Sequence, residues 1–381
     1  MKKTILSSAI TALALTTTMG VQAEGFEQAI KDTTADFNFR LRAESVDIDN
    51  GKKSTLATTL KSRATLKTGT VSGFSAVLEA DNVLHITDTF NDEPADKGTS
   101  DYNFVYDQET TQLNQAYLQY NGFDSVIKAG NQRINLDNQR HVGGVAFRQD
   151  EATFDAISVT NKSVENTTIF VALANNVNTI SDDDTESDVL LLNAKYQISP
   201  DLAATGYYYD LENSGSTMGV RAVGKAGGVG FEAEVATQDQ DANDASPLYI
   251  HLAANKKIAD VKLTAGLEIL GSDDGTTAFS TPLGTNHKFL GWSDKYLNGS
   301  DNNGIQDLYA SAVTKVSGVK LVGQLHKFDA AEGSVDLGSE IGFVAAKKIE
   351  NYGVSVKLAQ FLAGDTGKDI TKVWLTGTAK F

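Results

Sequence analysis

The sequence lacks several features that common protein classes require. It has no cysteine, which excludes disulfides, a thiol nucleophile and cysteine-ligated metals. It has only 4 prolines in 381 residues. Proline cannot donate a ladder hydrogen bond, so its scarcity suits a chain that is mostly paired strand. No apolar run reaches the ~18 residues that a transmembrane helix needs.

Basic residues and catalytic motifs are also scarce. The chain has 33 Lys and Arg against 49 Asp and Glu, a formal net charge of −16, which argues against a nucleic-acid partner. Its 5 histidines are scattered without ligand spacing, so no metal site is predicted. There is no G-x-S-x-G elbow or phosphate-binding loop. We therefore predict no catalytic residue, no cofactor and no enzymatic activity.

The N-terminal residues have the pattern of a cleaved export signal. Lys2 and Lys3 form a basic n-region, Ile5 to Leu15 an apolar h-region, and Val21-Gln22-Ala23 a small-residue cleavage site. Residues 1–23 are thus a predicted signal peptide. Residues 24–35 are predicted to be a periplasmic N-terminal segment and residues 36–381 the main domain. An exported chain without a helical anchor is either soluble or a β-barrel.

The rest of the chain alternates apolar and polar residues in about 18 segments of barrel-strand length. The predicted strands are 36–46, 54–68, 73–87, 111–121, 124–133, 150–160, 166–177, 187–198, 201–211, 216–225, 228–238, 247–256, 259–270, 305–316, 318–328, 336–347, 351–361 and 370–381. Short turns alternate with longer, acidic connections. That asymmetry favours an all-β transmembrane antiparallel barrel over a soluble sandwich, with short periplasmic turns and longer extracellular loops.

The last strand supports an outer-membrane location. Val373, Leu375 and Phe381 belong to its apolar set, and Trp374 and Lys380 belong to the set that faces inward. A terminal aromatic such as Phe381 resembles the tail by which outer-membrane barrels are recognised for assembly. We expect this strand to close the barrel against residues 36–46.

Charged residues on the inward set of the early strands predict a basic track in the lumen. Its members are Arg40, Arg42, Lys61, Arg63, Lys67, Lys128, Arg133, Arg140 and Arg148, with Glu44, Glu79 and Asp81 as acidic partners. Guanidinium groups bind carboxylates, and Arg/Lys-lined pores favour anions. The alternative is a wall of balanced ion pairs that selects little.

Three segments resemble the alginate export family of outer-membrane porins. Residues 130–140 read GNQRINLDNQR, residues 147–156 read FRQDEATFDA, and residues 281–296 read TPLGTNHKFLGWSDKY. The resemblance implies an 18-stranded barrel that passes anionic uronate polysaccharide or oligosaccharide through an arginine-lined constriction.

The connection 271–304 is too long to be a simple link. It holds His287, Lys288, Phe289, Trp292, Lys295 and Tyr296 as constriction-loop candidates. Aromatic faces beside cations would suit a sugar ring that carries a carboxylate, whereas aromatics packed only on each other would close the barrel mouth. The connection 134–149 is the other candidate for folding inward.

These patterns predict an outer-membrane channel (porin) that passes anionic oligosaccharides of the uronate or alginate kind by passive facilitated diffusion. The expected partners are outer-membrane lipid and lipopolysaccharide, the barrel assembly machinery through Phe381, and an anionic sugar. The chain could be a monomer or a trimer. The alternatives are a general or otherwise specific porin with little charge selectivity, an outer-membrane hydrolase, and a closed structural or adhesive barrel.

Overall fold

The structure of the protein is a computed structural model. It describes residues 23–93, 100–180, 184–241, 245–297, 299 and 301–381. The predicted signal peptide lies outside the described residues, apart from Ala23. The first element is a helix, α1 (Ala23–Lys31), and the Gly69 amide donates a 2.9 Å hydrogen bond to the carbonyl of Ala29 in this helix. Among the described residues, no helix is long and apolar enough to cross a membrane.

The chain forms a closed antiparallel barrel of 18 strands. In chain order, β1 to β18 are Thr34–Ile48, Thr55–Lys67, Phe74–His85, Thr110–Gly122, Ser125–Gln132, Thr153–Asn161, Thr167–Asn178, Val189–Ser199, Leu202–Leu211, Gly215–Ala226, Val229–Asp239, Leu248–Ile258, Val261–Leu270, Ile305–Val316, Val319–Asp329, Asp336–Ile349, Tyr352–Leu362 and Ile370–Lys380. Each strand pairs with its sequence neighbours. The predicted fold class and strand number are confirmed.

The first and last strands close the barrel, as predicted. Arg40 lies opposite Thr378, and Glu44 lies opposite Trp374. Beyond the last ladder pair, the amides of Phe37 and Phe381 each donate a 2.9 Å hydrogen bond to the other's carbonyl. The seam therefore has no unpaired strand edge, which would otherwise be open to pairing with another chain.

Alternation along the strands separates an apolar outer face from a polar inner face. On β1, Phe37 and Leu41 are 45% and 46% exposed, whereas Arg42 and Glu44 are 4% and 0% exposed. Because successive side chains point to opposite faces, Arg40 and Asn38 also face the lumen. The same separation holds on β3, where Leu78 points outward. An exposed apolar band of this kind fits a lipid environment.

The two ends of the barrel differ in the length of their connections. At the short-turn end the strands are joined by residues 68–73, 123–124, 162–166, 200–201, 227–228, 259–260, 317–318 and 350–351. At the long-loop end they are joined by residues 49–54, 86–109, 133–152, 179–188, 212–214, 240–247, 271–304, 330–335 and 363–369. The predicted alternation of short and long connections is confirmed.

Candidate functional site

Two long loops enter the barrel because both carry apolar side chains that become buried there. The Arg140 loop (residues 133–152) buries Ile134 and Val142. The Trp292 loop (residues 271–304) buries Phe279 and Leu290 in the same apolar cluster. The loops also hydrogen-bond to each other, since the Gly143 amide donates to the Leu283 carbonyl at 2.8 Å. Together they form a constriction inside the lumen; both segments were candidates for folding inward.

Arg40 on β1 holds the Arg140 loop in place. Its Nε donates to Gln149 Oε1 at 2.7 Å, its Nη1 donates to the Ala146 carbonyl at 2.9 Å, and its Nη2 donates to the Arg148 carbonyl. Gln149 in turn donates to Thr59 Oγ1 at 2.8 Å. Arg40 thus faces the lumen with its donors occupied by the loop, so we assign it a positioning role.

Three cations and three carboxylates form a balanced group on the early wall. Lys61 Nζ lies 2.7 Å from Asp81, Arg63 Nε donates to Asp81 at 2.6 Å, and Arg133 Nη2 lies 2.8 Å from Glu79. The third carboxylate belongs to the Arg140 loop and contacts both arginines. In this part of the lumen, the wall therefore consists of ion pairs that neutralise each other, which is the alternative to a basic track.

The third carboxylate is Glu151, which the sequence analysis did not single out. Arg133 Nε donates to it at 2.6 Å, and Arg63 also contacts it. Burial alone would raise the pKa of Glu151, but the hydrogen bond from Arg133 and the charge of Arg63 lower it to about 2. Glu151 therefore stays ionised and fastens the end of the loop to the wall.

Arg148 joins both loops to the barrel wall. Its Nη1 lies 2.9 Å from Glu44 on β1, and its Nη2 lies 2.7 Å from Asp294 in the Trp292 loop. Lys372 on β18 lies 3.0 Å from the same Asp294 carboxylate. Burial opposes ionisation of Asp294, but His287, Lys372 and Arg148 hold its pKa well below the usual range. The centre of the constriction is thus a buried, charged junction.

His287 lies beside this junction and accepts a proton poorly. Its Nδ1 contacts Asp294 Oδ1, yet burial lowers the pKa of His287 to about 3 despite that carboxylate. The neutral ring stacks on Phe147, with 3.4 Å between ring centroids. Lys357 Nζ, from β17, lies 2.5 Å from His287 Nε2. The ring therefore accepts a hydrogen bond from a cation.

Cations from the wall lie over aromatic rings at the same level. Arg42 lies 4.3 Å from the Phe147 centroid, and Lys357 Nζ lies 4.4 Å from that centroid and 4.2 Å from that of Trp292. Arg42 forms no ion pair with a described carboxylate, and its Nε and Nη1 are buried without a hydrogen-bond partner there. Of the arginines on the early strands, Arg42 thus has unused donors, and in the loop Nη2 of Arg140 is also buried without a partner.

Arg140 does not belong to the early wall, which corrects the predicted track. It is fully buried, and its Nε lies 2.6 Å from Glu268 on β13. Its guanidinium also covers the Phe289 ring at 4.8 Å. The loop runs far enough across the lumen to carry Arg140 to the opposite strands. Sequence position alone had suggested a place beside Arg133.

Lys67 and Lys128 also lie away from the constriction. Both face the lumen, but closer to the short-turn end, on β2 and β5. Lys67 is exposed, and Lys128 Nζ lies over the Tyr117 ring at 4.8 Å. The predicted track is therefore divided between a paired constriction and an open, lysine-containing region.

The constriction-loop candidates also fall into two groups, one at the basic wall and one away from it. His287 and Trp292 meet the basic wall, whereas Tyr296 packs against Phe328 and Phe361 with ring centroids 5.3 and 5.8 Å apart. Lys288 donates to the Asn138 carbonyl at 2.8 Å. Lys295 is exposed, 5.7 Å from the Tyr296 ring. Both sequence interpretations of this loop therefore apply, each to different residues.

Lumen residues of the late strands were missed by the sequence analysis. Their carboxylates contact histidines: Glu234 lies 3.0 Å from His141 of the Arg140 loop, and Asp307 lies 2.8 Å from His326. The histidines are therefore not isolated in space, although their spacing gave no motif. The inward register of β11 to β17 would have identified most of these residues.

One group among the described residues has three potential metal ligands, Glu232, Glu234 and His251. Arg221 already lies 2.9 Å from Glu232 and 3.4 Å from Glu234. Its guanidinium therefore neutralises part of the charge that would attract a cation.

Comparison with known proteins shows similarity of fold without similarity of sequence. No family model matches the chain, and no curated protein matches it by sequence. The resemblance to the alginate export family is therefore not confirmed. Among solved structures, Pseudomonas aeruginosa OccK3 (OpdO) is similar, with a TM-score of 0.75, 12% identity, and coverage of 95% of this chain and 99% of that one.

Two further structures show the same relationship. Pseudomonas aeruginosa OpdK, solved with vanillate, has a TM-score of 0.75 and 12% identity, with coverage of 92% of this chain and 99% of that one. Acinetobacter baumannii OccAB4 has a TM-score of 0.71 and 12% identity, with coverage of 92% and 98%. At these identities the similarity establishes the barrel fold.

Proposed function

We propose that the protein is an outer-membrane channel that passes organic anions by passive diffusion, with uronate oligosaccharides as its substrate class. An apolar outer face and a polar lumen are the features that a transmembrane barrel requires. The OpdK structure, of similar fold, contains vanillate, which is an aromatic carboxylate. On this proposal lipid surrounds the barrel, and Phe381 serves as the signal for assembly into the outer membrane.

The observation that carries the proposal is the unused guanidinium of Arg42 beside the aromatic rings. A buried polar group without a partner costs about 1–3 kcal/mol, which a bound acceptor would offset. A carboxylate oxygen can accept a charge-assisted hydrogen bond from either of the two unused nitrogens, Nε and Nη1. Phe147, Trp292 and Lys357 would then offer ring faces and a second cation to the sugar. On this proposal Arg42 and Lys357 bind the anionic sugar, while the arginines held in ion pairs fix the shape of the constriction.

A closed barrel without transport is the second candidate, and the packed loops favour it. The Gly143–Leu283 hydrogen bond and the shared apolar cluster bring the two loops together inside the lumen. A barrel closed in this way would show no ionic current. A porin with little charge preference would conduct, but it would not be blocked by uronates.

Recordings from single channels in planar bilayers test these candidates. We expect a reversal potential that shows anion preference and a current that oligogalacturonate blocks. Arg42→Gln should raise the blocking concentration about tenfold, because hydrogen bonds to charged groups contribute about 1.5–3 kcal/mol. Lys53→Gln is the matched control, since Lys53 is an exposed cation on a loop at the long-loop end.

The outcomes separate the candidates. Cation preference with no block by oligogalacturonate would refute the uronate proposal. The complete absence of current in folded wild-type protein would favour the closed barrel. Equal block of Arg42→Gln and wild type would remove Arg42 from the substrate path.

A further inference from the structure

Six lysines line the lumen near the short-turn end, on the late strands. Alternation places them on the inner face: Lys257 shares its face with buried His251, and Lys315 shares its face with buried Asp307. All six lysines are exposed. We call this group the lysine vestibule: Lys257, Lys262, Lys315, Lys320, Lys348 and Lys380.

Two pairs of these lysines lie directly opposite each other across hairpins. Lys257 is the cross-strand partner of Lys262, and Lys315 is the cross-strand partner of Lys320. Like charges in directly opposed positions destabilise a sheet. Nothing in strand pairing requires lysine at four such positions, so this arrangement costs stability without a structural return.

The positive charge of the lysine vestibule is not neutralised within the described chain. None of its six lysines forms an ion pair with a described carboxylate, in contrast to Lys61 and Lys372 in the constriction. Lys315, Lys320, Lys348 and Lys380 line an open recess of about 720 Å³. Asp260 is the only acidic residue among those that line this recess.

We propose that the lysine vestibule binds an extended polyanion with several carboxylates, and that it does so at the short-turn mouth of the channel. The proposal rests on the proposed function and adds a second binding region with a defined side. The lysines lie between β12 and β18, and neighbouring strands are about 4.8 Å apart, so they cover roughly 30 Å of wall. A single carboxylate would reach few of them, whereas a chain of uronates would reach several.

The test compares oligogalacturonates of two, four and eight units as blockers added to one side of the channel. The natural chain has no cysteine, so a label on Ser334→Cys marks the long-loop side. We expect block from the short-turn side to strengthen with chain length. Lys262→Gln with Lys320→Gln should raise the blocking concentration of the octamer roughly fivefold, since each exposed charge pair contributes little.

A matched control removes two lysines that lie outside this recess. Lys256 lies opposite exposed Leu263 on the outer face, and Lys53 is an exposed cation on a loop at the long-loop end. The double variant Lys256→Gln with Lys53→Gln removes the same charge from the protein. It should be blocked at the same concentration as the wild type. The difference between the two double variants should disappear at 1 M salt, where the screening length is about 3 Å.

The outcomes distinguish this proposal from the proposed function. An anion-selective current with block that is independent of chain length, or equal in both double variants, would overturn the lysine vestibule and leave the channel intact. If there is no current, fluorescence anisotropy of a labelled octamer with the purified protein decides instead. Weaker binding by Lys262→Gln with Lys320→Gln alone would support the vestibule in a barrel that does not conduct, and equal binding would overturn it.

Discussion

The lumen has two charged regions that differ in how their charges are satisfied. In the constriction, Arg148 lies between Glu44 and Asp294, and each of these groups is largely removed from water. In the lysine vestibule, Lys315 and Lys320 face each other, exposed and without an acidic partner among the described residues. The first arrangement fixes structure, and the second leaves charge available to a ligand.

This contrast shows why the number of cations alone does not identify an anion path. A buried ion pair is costly to break, because removal of one partner leaves the other charged in a poorly solvated place. An exposed lysine costs little to replace, yet it attracts anions over about a Debye length. Most of the predicted basic track is of the first kind. Within the constriction, Arg40 is instead bonded to neutral groups of the Arg140 loop, and Arg42 keeps unused donors.

The largest expected effect comes from breaking the junction of the two loops. Arg148→Met keeps the length of the side chain but leaves Glu44 without its partner. We expect a loss of about 3 kcal/mol in the free energy of unfolding, the lower end of the range for buried pairs, because Lys372 still contacts Asp294. Urea unfolding in lipid vesicles, followed by tryptophan fluorescence, measures it. The chain has 2 tryptophans, Trp292 and Trp374, and both lie at the constriction.

The corresponding control is Lys315→Met in the lysine vestibule. It removes one exposed cation and should change the free energy of unfolding by less than about 0.5 kcal/mol. If Lys315→Met proved as destabilising as Arg148→Met, the distinction would fail between a constriction whose charges hold the structure and a vestibule whose charges are free to bind a ligand.

A second prediction concerns the pH dependence of the constriction. Burial raises the pKa of Asp150 to about 7. The folded protein therefore holds a proton there that the unfolded chain, with a pKa near 3.9, releases. The stabilisation is complete below about pH 4 and is lost as the pH rises through about 7.

Asp150→Asn tests this dependence. Between pH 4 and pH 7, the free energy of unfolding of the wild type should fall relative to that of the variant by on the order of 2–4 kcal/mol. Urea titrations at each pH measure the difference. Parallel curves for the two proteins would show that Asp150 titrates normally in the folded state.

The smallest expected effect is an increase in the free energy of unfolding, opposite in sign to the effect of Arg148→Met. Lys320→Glu replaces a like-charge pair with an opposite-charge pair across β14 and β15, so it should stabilise the barrel by about 0.2–1 kcal/mol. Lys347→Glu, on the outer face, serves as the control in the same unfolding assay. Destabilisation by Lys320→Glu would mean that Lys315 and Lys320 are not the opposed pair that the register indicates.

Most of the fold was predictable because it depends on a local rule. Period-two alternation gives both the strands and their faces, so Arg42 and Glu44 could be assigned to the lumen from β1 alone. The closing pair β1–β18 followed from the even strand number. Lengths of connections identified the two ends. None of these inferences needed contacts between distant residues.

The site was less predictable because loops of opposite walls build it. Arg148 contacts Glu44, 104 positions away, and Arg140 contacts Glu268, 128 positions away. No local pattern indicates where a loop will cross a lumen, so Arg140 was placed on the wrong wall. The late-strand residues are a different case. Alternation on β12 to β17 would have revealed Glu268 and Lys357, and the opposed lysines as well.

The pairing of Phe37 with Phe381 also has a consequence for the order of folding. Each hairpin of the barrel can form from neighbouring residues, but this pair joins the two ends of the barrel sequence. Contacts of such long range form slowly, because loop closure must precede them. Until the last strand arrives, β1 and β17 remain open edges that can pair with other chains. The assembly of this barrel should therefore be rate-limited by its final strand, and its intermediates should be the species most in need of chaperones.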